Sequence, residues 1–241
     1  MYLSVIIPAY NEEKRIGKTL AQINDYLMGQ HFDYEIIVVS DGSDDKTVQV
    51  VNNLKLKIKH LGIMSNEKNR GKGFVVRQGL LNAHGDLRLF TDADNATDIR
   101  QLEKFLPHIF NYDIIVGSRV IDGSKIIKSQ PLYRRILGNI YRPIIRIVVG
   151  KTDVHDTQCG FKLFKAESAK KIIPLCRING FSFDAEMLII AKKLGHRIKE
   201  IPILWKNDPN TKLGIGGMIN AILELFLIKL HFILGDYNKQ P

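Results

Sequence analysis

Two aspartates with one residue between them, Asp92 and Asp94, have the residue type and spacing most suited to chemistry in this sequence. They follow residues 87–91, which are predicted to form a strand. In the turn after a strand, both carboxylates can reach one site just beyond the strand end. Their oxygen atoms suit hard cations such as Mg²⁺ or Mn²⁺, which keep coordination positions open for substrate phosphates. The alternative interpretation is an aspartate pair that caps the helical pattern beginning at Ile99.

Two other polar clusters could bind a nucleotide. Asp41 follows the predicted strand at residues 34–40, and its carboxylate could accept a hydrogen bond from a base N–H; a plain Asp-Gly turn is the alternative. The run Asn-Arg-Gly-Lys-Gly at residues 69–73 opens a helical pattern, so its backbone amides and Lys72 could contact a phosphate. A solvated turn before a helix is the alternative there. The first strand is not followed by Gly-x-Gly-x-x-Gly, which disfavours a dinucleotide site.

The elements that must position these side chains alternate between strands and helices along the first half of the chain. Strands are predicted at residues 3–8, 34–40, 58–64, 87–91 and 113–118. Helices are predicted at residues 12–28, 44–54, 73–83 and 99–110. This alternation predicts an α/β fold with a mostly parallel, Rossmann-like sheet flanked by helices. Because ligands bind at the carboxyl ends of parallel strands, the polar clusters that follow these strands should converge on one rim.

The second half of the chain follows a different pattern. A helix is predicted at residues 183–194, a last strand at residues 198–204 and an apolar helix at residues 219–234. No linker-like stretch divides the chain, so we expect a single domain over residues 1–215. This domain would carry an amphipathic insert at residues 131–149, and a C-terminal amphipathic helix would lie within residues 216–241.

The formal net charge of +10 on 241 residues indicates an anionic partner. Nucleic acid, an anionic membrane surface and phosphorylated substrates are the three candidates. Nucleic-acid binding is disfavoured, because the basic residues lie beside apolar helices and glycine turns and are not interleaved with exposed aromatic residues. The two cysteines, Cys159 and Cys176, have neither a disulfide framework nor metal-ligand spacing, which favours a reducing, cytoplasmic compartment.

Two segments could lie on a membrane surface. On a helical wheel, residues 131–149 place Arg135, Arg142 and Arg146 on one stripe opposite a broad apolar arc, which predicts an interfacial helix. Residues 219–234 would form a helix about 24 Å long, shorter than the roughly 30 Å hydrocarbon core. We therefore expect peripheral binding to the cytoplasmic face of a membrane, with no signal peptide and no transmembrane helix. For both segments, packing on the protein core is the alternative.

The motifs and their order resemble those of family 2 glycosyltransferases with the GT-A fold. More narrowly, the chain is similar to dolichyl-phosphate glucosyltransferases and related polyprenyl-phosphate hexosyltransferases over nearly its whole length. The matching stretches are residues 5–13, 38–43, 69–73, 92–97, 117–119, 156–164 and 183–186. The run Asp-Thr-Gln-Cys-Gly-Phe-Lys at residues 156–162 is the most discriminating, because relatives with soluble acceptors differ there.

The resemblance implies a role for each matching residue. The nucleotide-sugar pocket would be lined by Pro8, Ala9, Tyr10, Glu12, Asp41, Lys72, Asp92 and Ala93. Asp92 and Asp94 would bind the Mg²⁺ or Mn²⁺ cofactor, Asp94 more directly. The catalytic residues would be Asp94, Arg119, Asp184 and Glu186, the last two near the reacting centre or bracing it. The acceptor phosphate would lie against Arg119, Arg134, Arg135, Asp156 and Gln158.

The implied reaction transfers a hexose, with inversion, to a dolichyl or polyprenyl phosphate, and UDP-glucose is the favoured nucleotide-sugar donor. A lipid phosphate has a second pKa of about 6, so it is mostly dianionic at pH 7 and needs no general base. Catalysis would then rest on positioning and on charge neutralisation, and none of the seven histidines is given a catalytic role. GDP-mannose as the donor and a non-catalytic nucleotide-sugar-binding subunit are the alternatives. The resemblance also allows for a membrane-anchoring partner subunit.

Overall fold

The computed structural model describes residues 3–128, 141, 143–145, 154–207 and 215–238. Within these residues the β-strands are β1 Leu3–Ala9, β2 Tyr34–Ser40, β3 Leu61–Ser65, β4 Leu87–Thr91, β5 Ile114–Ser118, β6 Lys125–Lys128, β7 Phe161–Lys165, β8 Ile198–Pro202 and β9 Leu204–Lys206. The α-helices are α1 Ile16–Met28, α2 Thr47–Lys55, α3 Lys72–Asn82, α4 Ala166–Ile172, α5 Phe183–Lys193 and α6 Ile215–Ile233. Short 3₁₀ helices lie at Ile99–Lys104, Leu106–His108, Ile173–Leu175 and Asp236–Asn238.

Seven strands form one sheet in the order β3-β2-β1-β4-β7-β5-β8, and β6 and β9 form a separate parallel pair. Neighbouring strands of the large sheet are parallel except at β7, which runs antiparallel to both β4 and β5. Every residue of β1 and β4 is buried, as expected for strands that helices cover on both faces. The predicted α/β class with a mostly parallel sheet is confirmed.

The helices pack on this sheet through apolar stripes. In α1 the buried residues include Ile16, Leu20 and Ile23, which recur every three or four residues and so share one face. Helix α5 packs against β4, where the rings of Phe90 and Phe183 meet edge to face with their centroids 5.8 Å apart. This contact places the first turn of α5 close to the carboxyl end of β4, where the aspartate pair begins.

Proline explains two differences between the sequence prediction and the structure. The sequence predicts one helix at residues 99–110, but the chain forms two 3₁₀ helices there, because Pro107 has no N–H with which to continue an α-helical ladder. The predicted strand at residues 198–204 is divided into β8 and β9, since the chain leaves the large sheet after Pro202 and pairs with β6. The sequence pattern predicts neither β6 nor α4, which have only four and seven residues.

The C-terminal helix α6 is longer than the sequence predicts. It begins at Ile215 and has 19 residues, a length of about 28 Å. Its segment Gly216–Ile233 has a mean hydropathy of 1.5 and is long and apolar enough to cross a membrane, so the expectation of a helix too short to do so is wrong. Length and composition do not by themselves establish a span, because a helix docked on a domain passes the same test. The residues through which α6 docks are Ala221, Leu225 and Ile228, all of them buried.

Most of the predicted amphipathic insert at residues 131–149 lies outside the described residues, and so do Arg134 and Arg135. Tyr141 and residues 143–145 are described and helical. Ile145 is buried and Tyr141 packs against the hydrophobic core, so this part of the insert contacts the domain. The division into a domain at residues 1–215 and a C-terminal helix within residues 216–241 stays a prediction.

Candidate active site

A cleft of about 390 Å³ opens at the carboxyl ends of β1, β2 and β4, at the rim where the sequence predicts a ligand. All eight residues assigned to the nucleotide-sugar pocket line this cleft: Pro8, Ala9, Tyr10, Glu12, Asp41, Lys72, Asp92 and Ala93. Asp94 lines it as well. The other lining residues are Arg15, Asn69, Gly71, Val75, Gly180 and Phe181.

Sequence patterns do not single out Arg15, Gly180 or Phe181. Arg15 lies one turn after Glu12 and donates from its Nη2 to Glu12 Oε1 at 2.8 Å. The spacing of these opposite charges, three residues apart, is the signal that could have found Arg15. Gly180 and Phe181 come from a loop that is distant in sequence, and no motif marks them.

Asp41 holds the glycine-rich loop over the cleft. Its buried carboxylate accepts hydrogen bonds from the backbone N–H groups of Arg70 at 2.7 Å and of Gly71 at 3.0 Å. Gly71 has a φ of 98°, a conformation that favours glycine, and a Cβ there would overlap the carbonyl oxygen of Asn179. Asp41 is thus a turn residue whose side chain organises the opposite loop. Its recognition of a base N–H stays a prediction.

The turn that carries the aspartate pair is fixed by local hydrogen bonds. Asp94 Oδ1 accepts a hydrogen bond from Ala96 N at 2.9 Å. Burial and the charge of Asp92 raise the pKa of Asp94 to about 6. Asn95 has a φ of 51°, in the left-handed region that asparagine tolerates, and its side chain donates to Gln22 Oε1 of α1 at 2.8 Å. The turn is therefore anchored to α1 while its carboxylates face the cleft.

These carboxylates fit a divalent cation. A cation would relieve the mutual repulsion that raises the pKa of Asp94. The capping alternative is wrong, because Asp98 caps the helix that begins at Ile99. Within the described residues, no group of three His, Cys, Asp or Glu side chains could hold a metal ion alone. Asp92 and Asp94 would therefore hold the cation together with phosphate oxygens of a ligand, as in many Mg²⁺ sites.

Lys72 adds a positive charge beside the aspartates. Its Nζ lies 2.6 Å from Asp92 Oδ1 and 5.4 Å from the centroid of the Phe90 ring. Burial opposes the charged ammonium, but the charges of Asp92 and Asp184 outweigh this and raise the pKa of Lys72. Lys72 is therefore charged at neutral pH, and it begins α3, where backbone N–H groups also attract anions.

Arg119 is oriented by Asp156. Its Nε donates to Asp156 Oδ2 and its Nη2 to Oδ1, each at 2.7 Å. Burial opposes the charge, but Asp156 raises the pKa of Arg119 above its ordinary value, and the charge of Asp92 contributes to the same rise. Glu200 accepts a hydrogen bond from Asp156 N at 2.8 Å and so supports the pair. Asp156, assigned to the acceptor phosphate, thus acts on Arg119, because a buried carboxylate would repel a phosphate.

Asp184 lies beneath the cleft and does not line it. Its carboxylate accepts a hydrogen bond from the fully buried Lys162. Burial raises the pKa of Asp184, although Lys162 and Lys72 oppose that rise. Of the two roles that the resemblance allows for Asp184, the geometry favours bracing, since the side chain is enclosed between α5 and β7.

Glu186 does not line the cleft either, and its assignment as a catalytic residue needs correction. It is fully buried, and its carboxylate accepts from Arg177 N at 2.8 Å and from Ile178 N at 2.9 Å. The hydroxyl of Tyr237, near the C-terminus, donates to the same carboxylate at 2.8 Å. A carboxylate with three donors and no exposure cannot contact a substrate. Glu186 therefore braces the loop before α5.

Gln158 links the predicted acceptor side to the same loop. Its Nε2 donates to the hydroxyl of Tyr141 at 3.3 Å, and that hydroxyl lies 2.8 Å from Ser182 Oγ. The other acceptor-side residues, Arg134 and Arg135, lie outside the described residues.

Solved structures of sugar-transferring synthases have a similar fold. A glucosyl-3-phosphoglycerate synthase of Mycobacterium tuberculosis has a TM-score of 0.70 and 17% identity over 100% of this chain and 82% of its own. Its complex with Mn²⁺, UDP-glucose and phosphoglyceric acid has a TM-score of 0.67 and 18% identity over 95% and 79%. A mannosyl-3-phosphoglycerate synthase from Rubrobacter xylanophilus has a TM-score of 0.71 and 15% identity over 100% and 76%. The likeness confirms the expected GT-A fold.

The sequence is also similar to several dolichyl-phosphate beta-glucosyltransferases over nearly its whole length. A dolichyl-phosphate beta-glucosyltransferase of Trichomonas vaginalis is 37% identical over 98% of this chain and 73% of its own. The enzymes of that name from Saccharomyces cerevisiae and Homo sapiens are 32% and 33% identical over 99% of this chain and 77% and 78% of their own. The sequence model for glycosyl transferase family 2 matches residues 4–173. The chain therefore belongs to glycosyl transferase family 2, and it is a glycosyltransferase.

Proposed function

We propose that the protein transfers glucose from UDP-glucose to dolichyl phosphate or a similar polyprenyl phosphate, with inversion and with the help of Mg²⁺ or Mn²⁺. The observation that carries the proposal is the convergence of Asp92, Asp94 and Lys72 on one cleft. It is supported by relatives named dolichyl-phosphate beta-glucosyltransferases that match nearly the whole chain.

The donor would lie in the cleft with its diphosphate between the aspartate pair and the start of α3. Lys72 would neutralise part of the diphosphate charge, and Asp92 and Asp94 would hold the cation. A bound divalent cation would stabilise the charge that develops on the UDP leaving group. A neighbour of the same fold has been solved with Mn²⁺ and UDP-glucose, which supports this choice of donor and metal. Tyr10 and Asp41, at the ends of β1 and β2, would enclose the base.

The acceptor would be a lipid phosphate held by Arg119. Asp156 engages Nε and Nη2 of Arg119 and so fixes the plane of the guanidinium. A dianionic phosphate oxygen would form the bond to the anomeric carbon as the bond to UDP breaks and its electron pair leaves with UDP. Attack from the face opposite UDP inverts that carbon. No proton has to be removed, because the nucleophile is already ionised at pH 7.

The surface of α6 supports a site at a membrane. The apolar side chains that α6 exposes include Ile219, Leu223, Phe226, Leu227, Leu230 and Ile233. The buried stripe on the opposite face of α6 docks it along the domain, so α6 would have to leave those contacts in order to span a bilayer. We therefore place α6 in the interface, where an apolar face enters the lipid and a basic protein is attracted to anionic headgroups. We also propose that the membrane surface is the cytoplasmic one and that a partner subunit anchors the protein there.

Glucosyl transfer to a lipid phosphate in vesicles is the direct test. Purified protein is incubated with Mn²⁺, vesicles that contain dolichyl phosphate, and radiolabelled UDP-glucose or GDP-mannose in separate reactions. We expect labelled glycolipid from UDP-glucose, its loss with EDTA, and an inverted anomeric carbon by NMR of the product. Glycolipid from GDP-mannose alone would replace the proposed donor. Nucleotide binding without glycolipid from either donor would favour a non-catalytic subunit.

Replacement of Asp94 tests its metal role. We expect Asp94→Ala to keep the fold and to lower glucosyl transfer by about a hundredfold or more, because a preorganised electrostatic contribution is lost. Asp98→Ala is the matched control, since Asp98 caps the next helix and lies outside the cleft lining. The control should lose about 1 kcal/mol of stability at most and keep its activity. Retention of a tenth of the activity in Asp94→Ala would contradict the metal role.

A further inference from the structure

The turn at residues 180–182 belongs to two parts of the structure. Gly180 and Phe181 line the cleft, and Ser182 precedes the first residue of α5. Among the described residues that line the cleft, Gly180 and Phe181 are the two from the second half of the chain. The place of this turn therefore sets the position of one wall of the cleft.

Glu224 of α6 holds the turn from behind. Its Oε2 accepts a hydrogen bond from Ser182 N at 2.8 Å. Its carboxylate packs so closely on Gly180 that a Cβ at that residue would overlap Oε1. Glu224 and Lys229 are the Asp, Glu, Lys or Arg residues of the mostly apolar segment Gly216–Ile233, which also contains Asn220 and His231.

A directed chain of hydrogen bonds reaches the same turn. The hydroxyl of Ser182 has one hydrogen and donates it to the carbonyl of Ala221 in α6 at 2.6 Å. The hydroxyl of Tyr141, 2.8 Å away, must therefore donate to Ser182 Oγ. Tyr141 in turn accepts from Gln158. The predicted acceptor side of the site is thus tied to α6 through Ser182.

Asn179, the residue before the turn, contacts the glycine-rich loop of the cleft. Gly73 N donates to Asn179 O at 2.7 Å. Gly71 approaches Asn179 so closely that a Cβ would overlap its carbonyl oxygen. A shift of residues 179–182 would therefore displace Gly71, and with it Lys72, which pairs with Asp92.

We propose that Glu224 is a positioning residue for the donor cleft, through which α6 sets the place of the turn at residues 180–182 and of the glycine-rich loop. It acts through Ser182 and Gly180 and does not touch the donor. The identity of the ligand in the cleft, UDP-glucose, is taken from the proposed function. The contacts themselves join α6 to the cleft whatever nucleotide sugar it binds.

The test compares Glu224→Ala with Glu224→Gln, whose side-chain oxygen can still accept from Ser182 N. We expect Glu224→Ala to raise the KM for UDP-glucose and the Kd for UDP with Mn²⁺ about tenfold, with a smaller change in kcat, because the cleft wall is displaced. Glu224→Gln should keep both constants within about threefold of the wild-type values. Amide hydrogen exchange at Ser182 and Gly73 should be faster in Glu224→Ala than in the wild-type protein.

Leu225→Ala is the matched control, since Leu225 is fully buried in the same turn of α6 and makes none of the contacts with Ser182 described above. It should lower the Tm at least as much as Glu224→Ala and leave KM and Kd unchanged. Equal increases in KM in both variants, or unchanged exchange at Gly73 in Glu224→Ala, would overturn the inference. Failure of the wild-type protein to bind UDP would count against the proposed function, whereas the exchange rates would still decide the role of Glu224.

Discussion

At the scale of single residues, Asp94 is a weaker acid in the metal-free protein than an ordinary aspartate. Burial, and then the charge of Asp92, raise its pKa from 3.8 to about 6. A proton and a cation therefore compete for the same carboxylate. We expect the affinity for Mn²⁺ to change little above pH 7 and to fall about tenfold between pH 7 and pH 5, as Asp94 becomes protonated. Isothermal titration calorimetry with Mn²⁺ at pH 5, 6, 7 and 8 measures this dependence.

The sign of the effect on folding is opposite to that of an ordinary paired carboxylate. Because the pKa of Asp94 in the folded protein lies above the value of 3.8 for an unfolded aspartate, the metal-free fold gains stability as the pH falls from about 6 to about 4. Asp94→Asn is the control, since a neutral amide should stabilise the metal-free protein at pH 7 and give little change at pH 4. An affinity for Mn²⁺ that stays level from pH 5 to pH 7 would contradict this account.

The positions of the site residues could be predicted from the sequence better than their contacts. Asp41 and Asp92 follow predicted strands, and the carboxyl ends of parallel strands meet at one rim, so their convergence follows from local pattern. Asp41 accepts its hydrogen bonds from the backbone N–H groups of Arg70 and Gly71, which lie 29 and 30 residues further along the chain. The path of that loop depends on tertiary packing, so these contacts could not be predicted. Glu186 lies in the same motif as Asp184, at residues 183–186. That motif does not indicate that α5 turns the Glu186 side chain away from the cleft.

At the scale of elements, the glycine-rich loop before α3 depends on the backbone of Gly71. Its φ of 98° is left-handed, and an alanine Cβ would also overlap the carbonyl oxygen of Asn179. A non-glycine residue in this region costs about 1–2 kcal/mol before any overlap is counted. We expect Gly71→Ala to displace the loop that Asp41 holds and to weaken binding of UDP with Mn²⁺ by more than about tenfold. Calorimetry measures the affinity, and thermal unfolding measures the stability.

Gly195→Ala separates backbone strain from loop displacement. Gly195 also has a positive φ, 77°, but a Cβ there meets no atom within 4 Å, and the residue lies in the loop after α5, outside the cleft lining. This variant should lose about 1 kcal/mol of stability and keep the wild-type affinity for UDP. A similar loss of UDP affinity in both variants would show that strain alone, and not the contact of Gly71 with Asn179, causes the effect.

Elements with a strong local pattern could be predicted, and elements made by long-range pairing could not. The predicted bounds of β2 and β4 match the structure, and in β2 the continuous β-branched run at residues 36–39 is typical of a strand that is buried on both faces. Strand β6 has four residues, and its pairing with β9 depends on contacts far along the chain. The loop at residues 180–182 carries no motif, so its place in the cleft could not be predicted.

At the scale of the whole molecule, charge and apolar surface favour the same kind of partner. The net charge of +10 attracts the chain to anionic surfaces. Helix α6 exposes an apolar face while its other face docks on the domain. Glu224 then connects that helix to the turn that lines the cleft. A lipid surface that binds α6 would therefore lie close to the site that we propose receives a lipid phosphate.

The exposed face of α6 makes this arrangement testable. Phe226 and Leu230 are about half exposed, at 55% and 49%. We expect the double change Phe226→Ser with Leu230→Ser to weaken binding to anionic vesicles at least about tenfold, because apolar area that would enter the lipid is lost. Co-sedimentation with vesicles of phosphatidylcholine and phosphatidylserine measures this, and UDP binding should stay unchanged. Leu56→Ser is the matched control, since Leu56 is 88% exposed after α2 and should not affect sedimentation. Sedimentation of the double variant at the wild-type level would exclude α6 as the lipid-binding surface.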